Sequence, residues 1–360
     1  MSIDDMQDMR SLIEDQANRI FADLCTKDLV DAAERGEWPD ELWRTLEENG
    51  LTLAAVPQEL GGGGGGIGDG FAVLKLAGRH AAPVPLSGTF LAGWVLAQAG
   101  RHVPSGPLSL AASHVGDMLA LDKREGRWML SGHARRVPWG RNAYRLLVVV
   151  PSREGLMGAL VDPKGGEVTA GTNLAGEPRD ELDFHGVEIP GEDMFPIGDP
   201  GVFDTLRRLG AMTRAVMMAG ALESALEMSV RYANERKQFG KPIGGFQAIQ
   251  QQLAALAGQS AASTKIADLA VEALERGEGA EVEIAAAKAR VGEAAGLGAS
   301  IAHQVHAAMG FTYEHPLHQR TRRLWSWRDE YGSEPVWQSD LGRRIAQAGA
   351  DRLWQFITRT

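Results

Sequence analysis

The chain has 360 residues, 44% of them hydrophobic and 23% charged, ordinary proportions for a soluble globular protein with room for two or three packed units. A formal net charge of −10 argues against general nucleic-acid binding, whose affinity comes mostly from neutralising phosphates. The single cysteine, Cys25, excludes an intrachain disulfide framework and any cysteine-built zinc or iron–sulfur centre.

The opening residues, MSIDDMQDMRSLIEDQ, are acidic and polar, unlike a secretory or transit signal. No apolar run approaches the roughly 18 residues that a membrane span requires, so cytoplasmic residence is expected. Residues 1–104 are expected to form a helical domain. Met9, Leu12, Ile13, Ile20, Phe21 and Leu24 recur at separations near three and four and predict one apolar stripe. Glu41, Leu42, Trp43 and Leu46 continue a helix that stops at Asn49-Gly50. The six glycines at 61–66 could cradle a phosphate, but no Lys-Ser/Thr follows and no strand precedes, so they are expected to be a flexible connector. Helices over Phe71–His80 and Thr89–Ala99 complete the domain.

The texture changes over residues 105–200. LSLAAS, MLALD, RWMLSGHARRV, YRLLVVVPS, LMGALVD and LDFHGVEIP are short apolar runs broken by glycine, proline and charge. They predict a small antiparallel β domain, a sandwich or a barrel. From 201 to 360 the chain is alanine-rich at helical spacing. Long helices are expected at roughly 205–238, 244–276 and 281–308, with a terminal helix near 339–358, together a four-helix bundle.

The segment RYANERKQFGKPIGGFQAIQ at 231–250 carries the most chemistry. Arg231, Arg236 and Lys237 crowd a helix end, where cations suit the macrodipole. Gly240 tolerates a left-handed conformation, Pro242 cannot continue a helix, and Gln247 offers an amide from the next one. Such a corner suits a diphosphate, although an ordinary turn between helices has the same ingredients.

These residues also carry a resemblance. Arg236-Lys237-Gln238-Phe239-Gly240 with Phe246-Gln247 resembles the Arg-x-x-Phe-Gly…Phe-Gln signature of the acyl-CoA dehydrogenase family. The segment QVHAAMGFTYEHPLHQRTRR at 304–323 resembles its later Gln-x-x-Gly-Gly-x-Gly-Phe-Thr-x-Glu-x-x-Leu…Arg-Arg element. The resemblance implies a mostly α chain in three parts: an N-terminal helical domain, a small antiparallel β middle domain and a C-terminal four-helix bundle. It implies FAD-dependent α,β-dehydrogenation of an acyl-CoA thioester, an electron-transfer flavoprotein-like acceptor, and a homo- or hetero-oligomer, dimer or tetramer. Arg236, Gln238, Phe239 and Gln247 match positions that touch FAD. A neighbouring subunit would complete that site through Gln304 and the backbone around Ala308. Arg214, in MTRAVMMAGAL, matches an arginine on the helix lining the CoA channel; it either faces substrate or is tied to an internal acid.

The chain departs from the family in three places. Ala307-Ala308 replaces a Gly-Gly pair. The family's Thr-Glu-Pro-x-x-Gly-Ser-Asp-like loop is absent or shortened between Leu108 and Leu130, leaving Ser109, Ser113 and His114 as the polar residues there. Trp139, in the following VPWGRNAY, could stack on the flavin or simply pack in the core. The base is the largest departure. Most members carry a glutamate in a Tyr-Glu-Gly-Thr segment. Aligning Gly332-Ser333 places Tyr331 at the glutamate position, with Glu330 one residue off. A minority carry it on the earlier helix, where this chain has Gly210-Ala211. Glu330 is the candidate base, with pairing to Arg323 or Arg328 as the alternative. Three functions follow: a dehydrogenase using Glu330, a partner subunit lacking its own base, or a flavoprotein of another reaction type. The tract HQRTRRLWSWRDE interleaves arginine with tryptophan and is expected to pack at a subunit seam.

Overall fold

Helix α1 (Ile3–Leu24) shows how the expected stripe is used. Ala17 and Phe21, four residues apart, are fully buried, whereas Met9 and Leu12 are exposed. The computed structural model describes residues 3–111, 117–277 and 280–358 and separates into two units, Met1–Leu209 and Gly210–Thr360.

In the first unit α1 is followed by α2 (Lys27–Glu34), α3 (Asp40–Glu48), α4 (Ile67–His80) and α5 (Leu86–Gln98). α1 packs on α3 and α4, with the Phe21 ring stacked on His80 at 6.0 Å. The glycine run between α3 and α4 is a folded turn rather than the flexible connector expected. The amides of Gly62, Gly63, Gly64 and Gly65 donate to the carbonyls of Pro57, Leu53, Val56 and Ala54. The Gly66 amide donates to Asp69 Oδ2 at 2.7 Å. No amide from 62 to 66 is left to hold a phosphate. The glycines are there for close approach: a Cβ on Gly62 would sit 2.1 Å from the Val56 carbonyl oxygen.

The β region comprises β1 (Leu108–Ala111), β2 (Met118–Arg124), β3 (Arg127–Pro138), β4 (Arg145–Ser152), β5 (Gly155–Val161), β6 (Glu167–Thr169), β7 (Arg179–Ile189) and β8 (Met194–Pro196). They form two four-stranded sheets, ordered β1-β4-β5-β8 and β2-β3-β7-β6. Leu130, Ala134 and Phe184 from one sheet and Val148, Val150 and Ala159 from the other share a core, so the arrangement is a sandwich. Every pairing is antiparallel except β1 with β4, which is parallel. Between those two strands the chain detours through β2 and β3 of the other sheet and returns in the same direction. Ser109 is buried on β1 and donates to the Pro138 carbonyl; Ser113 and His114 lie outside the described residues. Trp139 is buried, with its ring edge-on to Trp38 at 6.1 Å, a core role.

The second unit begins within α6 (Val202–Glu235). The chain continues through a two-stranded hairpin, β9 (Lys237–Gln238) with β10 (Lys241–Pro242), then α7 (Gln247–Glu275) and α8 (Glu281–His306). A helix not expected from the sequence, α9 (Leu317–Asp329), follows, and the single terminal helix expected near 339–358 is instead two, α10 (Glu334–Ala348) and α11 (Leu353–Ile357). The break between α9 and α10 is made by Tyr331 and Gly332, both at positive φ, and by Pro335 near the start of α10. α8 packs against α7, α9 and α10. At Gly298 it meets Leu222 of α6 and Leu256 of α7. Trp327 and Arg323, expected at a subunit seam, are fully buried inside this chain. These two side chains are covered within the chain, where α9 packs against α8. Among the described residues no helix is long and apolar enough to cross a membrane.

The glycines of the 61–66 run are therefore not interchangeable. Gly62→Ala should cost about 3 kcal/mol through overpacking against backbone. Gly66→Ala, whose Cβ would meet only Asp69 Oδ2 at an ordinary 3.8 Å, should cost under about 1 kcal/mol as a helix N-cap change. Urea denaturation midpoints check the difference.

Candidate functional site

Two places in the second unit gather the residues singled out from the sequence. The first is the corner after α6. Phe239 and Gly240 are the central residues of the β9–β10 hairpin, at φ 52° and 81°, the pattern of a primed turn. This tight reversal ends α6 at Glu235, three residues earlier than expected, and projects Arg236, Lys237 and Gln238 into solvent. Phe239 is 93% exposed and meets Phe246 edge-on at 6.1 Å. Lys241 lies over the Phe246 ring at 4.4 Å. Gln247 opens α7 and is exposed. An exposed cationic hairpin tipped by an uncovered phenylalanine is a surface built to be covered.

The later motif lies at the same end of this unit. The Tyr232 ring on α6 stacks on His306 of α8 at 4.6 Å, and His306 faces His315 at 4.6 Å. Gln304, Ala307 and Ala308 are exposed beside them. Burial lowers the pKa of His303 and His306 and takes His315 down to about 4, so at neutral pH these rings pack as neutral groups. Sequence reading missed this histidine cluster. Its signal was the recurrence of His303, His306, His315 and His318 over 16 positions.

Ala307 ends α8 at φ 50°, ψ −135°. That backbone is comfortable for glycine and strained for a residue with a Cβ. The glycine geometry of the motif thus persists although the glycine does not.

The second place is a buried polar network between α6, α8 and the α9–α10 break. Arg214 Nε on α6 lies 2.6 Å from Glu330 Oε2, with 5% and 16% of the two side chains exposed. The contact is a charge pair rather than an aligned hydrogen bond, because Arg214 Nε has no partner in hydrogen-bond geometry. Arg214 also lies over the Trp327 ring at 5.7 Å. The structure therefore joins two residues that the sequence treated separately. Arg214 is tied to an internal acid, and that acid is Glu330. Arg328 binds Glu334 at 2.6 Å.

Tyr331, at φ 58°, meets α6 one turn before Arg214. Its ring lies against Gly210, where a Cβ would come within 2.3 Å of it. Gly210 and Tyr331 occupy the two places where a base is expected, and they meet in space with no carboxylate on either. Lys288 on α8, fully buried, donates from Nζ to the carbonyls of Arg328 at 2.5 Å and Gly332 at 2.8 Å. Trp337 Nε1 donates to the same Gly332 carbonyl at 3.1 Å. Gly292 and Gly296, one and two turns beyond Lys288 on α8, make room for Glu334 and Arg328. Among the described residues no cluster of histidine, cysteine or carboxylates could hold a metal ion.

Comparison with known proteins adds three findings. Acyl-CoA dehydrogenase family models match twice, the N-terminal domain at residues 7–102 and the C-terminal domain at residues 206–345. The chain is 29% identical to acyl-CoA dehydrogenase IpdE2 of Mycobacterium tuberculosis over 328 residues, 90% of each protein. It is 30% identical to acyl-CoA dehydrogenase FadE27 of the same organism over 308 residues, 78% of this chain and 81% of that one. Among solved structures it resembles a chain of the ChsE4-ChsE5 complex from Mycobacterium tuberculosis, with a TM-score of 0.82 at 25% identity, covering 97% of this chain and 99% of that one.

Because Ala307 carries a strained backbone, Ala307→Gly should raise unfolding stability by about 1 kcal/mol, strain relief outweighing the added freedom of the unfolded glycine. A lower melting temperature in the variant would show that the methyl group is itself packed to advantage.

Proposed function

The chain belongs to the acyl-CoA dehydrogenase family, and from that premise we propose that it is one of two unlike chains of an FAD-dependent acyl-CoA dehydrogenase, with the base supplied by its companion. The observation that carries this reading is the state of Glu330. Its carboxylate is drawn to Arg214 at 2.6 Å, while the neighbouring position, against Gly210, is filled by the Tyr331 ring. A carboxylate that must take an α-proton needs access to substrate and freedom to change charge. Glu330 has the opposite task, because its protonation would strand a buried guanidinium.

The corner fits the diphosphate of FAD. Arg236 and Lys237 are exposed and make no ion pair among the described residues, and the hairpin turn brings its backbone to the surface beside them. Gln238 and Gln247 would add amides, and Phe239 would be covered by the ligand or a second chain. Gln304 and the Ala307–Ala308 backbone would serve a neighbouring protomer's dinucleotide. When bound, FAD supplies the hydride acceptor that no side chain provides. Arg214 and Arg236 lie 22 residues apart on or beside α6, about 33 Å at the helical rise. A chain's corner and its Tyr331 region thus belong to different active centres of an oligomer, and a corner remains useful where the base region is silent. The ChsE4-ChsE5 complex, by its name a pair of different chains, has this kind of composition. An electron-transfer flavoprotein-like acceptor would then reoxidise the flavin.

The test is anaerobic mixing of the purified chain, alone and co-expressed with a sibling chain that carries a Tyr-Glu-Gly-Thr segment, with a panel of short, branched, aromatic and steroid CoA esters. The two-chain preparation should be yellow and bleach with an ester from the panel, and the single chain should not bleach. A homo-oligomer of this chain that oxidises acyl-CoA unaided would overturn the proposal.

A further inference from the structure

We propose that Lys288 is a positioning residue: its ammonium clamps the carbonyls that flank the Glu330–Tyr331 pair and so fixes which of the two side chains faces Gly210. The consequence for catalysis rests on the function proposed above; the clamp itself stands on geometry alone.

Lys288 Nζ reaches the carbonyl of Arg328, two residues before Glu330, and that of Gly332, one residue after Tyr331. Both ends of the intervening segment are thus tied to one atom on α8. Between the ties the backbone is unusual. Glu330 is extended as the C-cap of α9, while Tyr331 and Gly332 have φ 58° and 101°. A tyrosine in the left-handed region costs about 1 kcal/mol or more and persists only where its surroundings impose it. The alternation sends Glu330 to Arg214 and Tyr331 to Gly210. A one-residue slip of the segment would exchange them, bringing the carboxylate toward Gly210 and leaving Arg214 alone. Lys288 opposes that slip, because each carbonyl it holds would move away from Nζ.

The clamp is held from several sides. Burial disfavours the charged lysine most, Glu334 of α10 and Glu330 favour it, Arg214 of α6 opposes it and Asp329 at the end of α9 favours it, and the balance lowers its pKa to about 8. Arg328 faces the same space but is engaged by Glu334. Loss of the Lys288 proton removes the positive charge that attracts both carbonyl dipoles. The clamp is therefore firm at pH 7 and loosens as pH rises through about 8.

The chain has only four tyrosines, Tyr144, Tyr232, Tyr313 and Tyr331, so fluorotyrosine labelling of the full chain gives a four-line fluorine spectrum in which Tyr331→Phe assigns one line. In the unsubstituted protein the Tyr331 line should shift or broaden with a midpoint near pH 8, below the ordinary range of tyrosine ionisation. Lys288→Met should move that line at pH 7 and abolish its pH response, with the Tyr144 and Tyr313 lines unmoved. Lys288→Arg should keep the line in place at pH 7 and also lose the pH response. A Tyr331 line unmoved at pH 7 by Lys288→Met, or by Lys288→Gln should the methionine variant fail to fold, would overturn the clamp. Because the readout needs neither flavin nor turnover, its failure would leave the two-chain function untouched, and failure of that function would leave the clamp.

Discussion

A guanidinium taken out of water requires an anion. Arg214 sits on α6 with almost no solvent, and the acid against it is Glu330. Much of the second unit can be understood as the scaffolding of that one pair. The α9–α10 break is bent to present Glu330, α8 reaches over with Lys288 to hold the bend, and Gly292 and Gly296 keep that face of α8 low enough for Glu334 and Arg328. Trp327 and Trp337 close the network from the sides, both fully buried. Breaking one member of such a network leaves another charge unpaired in a dry place.

This constraint separates two roles that the family resemblance runs together. A base and a structural counter-ion are both carboxylates, but the first must change charge during turnover and the second must not. In the function proposed above Glu330 is the second. The corner proposed to hold the dinucleotide obeys the opposite rule: Arg236, Lys237 and Phe239 face outward. One chain thus holds a buried charge pair and an exposed cationic corner, far apart along α6.

The long elements were legible because periodicity and breakers are local. α6, α7 and α8 follow from alanine-rich repeats bounded by Gly-Lys-Pro and the glycine-rich 276–280 region, and the β runs from their alternating composition. What escaped the sequence depends on contacts distant along the chain. β6 and β8 are three residues each, too short for a pattern, and exist because β7 and β5 offer free edges. The parallel β1–β4 pair needs knowledge of which sheet β2 and β3 join. The six glycines read as slack chain because their hydrogen-bond partners lie at 53–57, outside the run. The site divided in the same way. Arg236, Phe239 and Gln247 were legible as a motif. Arg214 and Glu330 were both noticed, yet their pairing spans 116 positions and only the fold brings them together. Tyr331 was recognised as standing at the base position, but its left-handed backbone and its seat on Gly210 have no local signature, since tyrosine is a poor candidate for positive φ.

The coupling energy between Arg214 and Glu330 tests the central claim most directly. In a double-mutant cycle of Arg214→Leu, Glu330→Leu and the pair, followed by urea denaturation, the account expects the double change to cost about 3 kcal/mol less than the two single changes added together. A coupling near zero would mean that Glu330 is free of its arginine and available for chemistry, and would contradict the account.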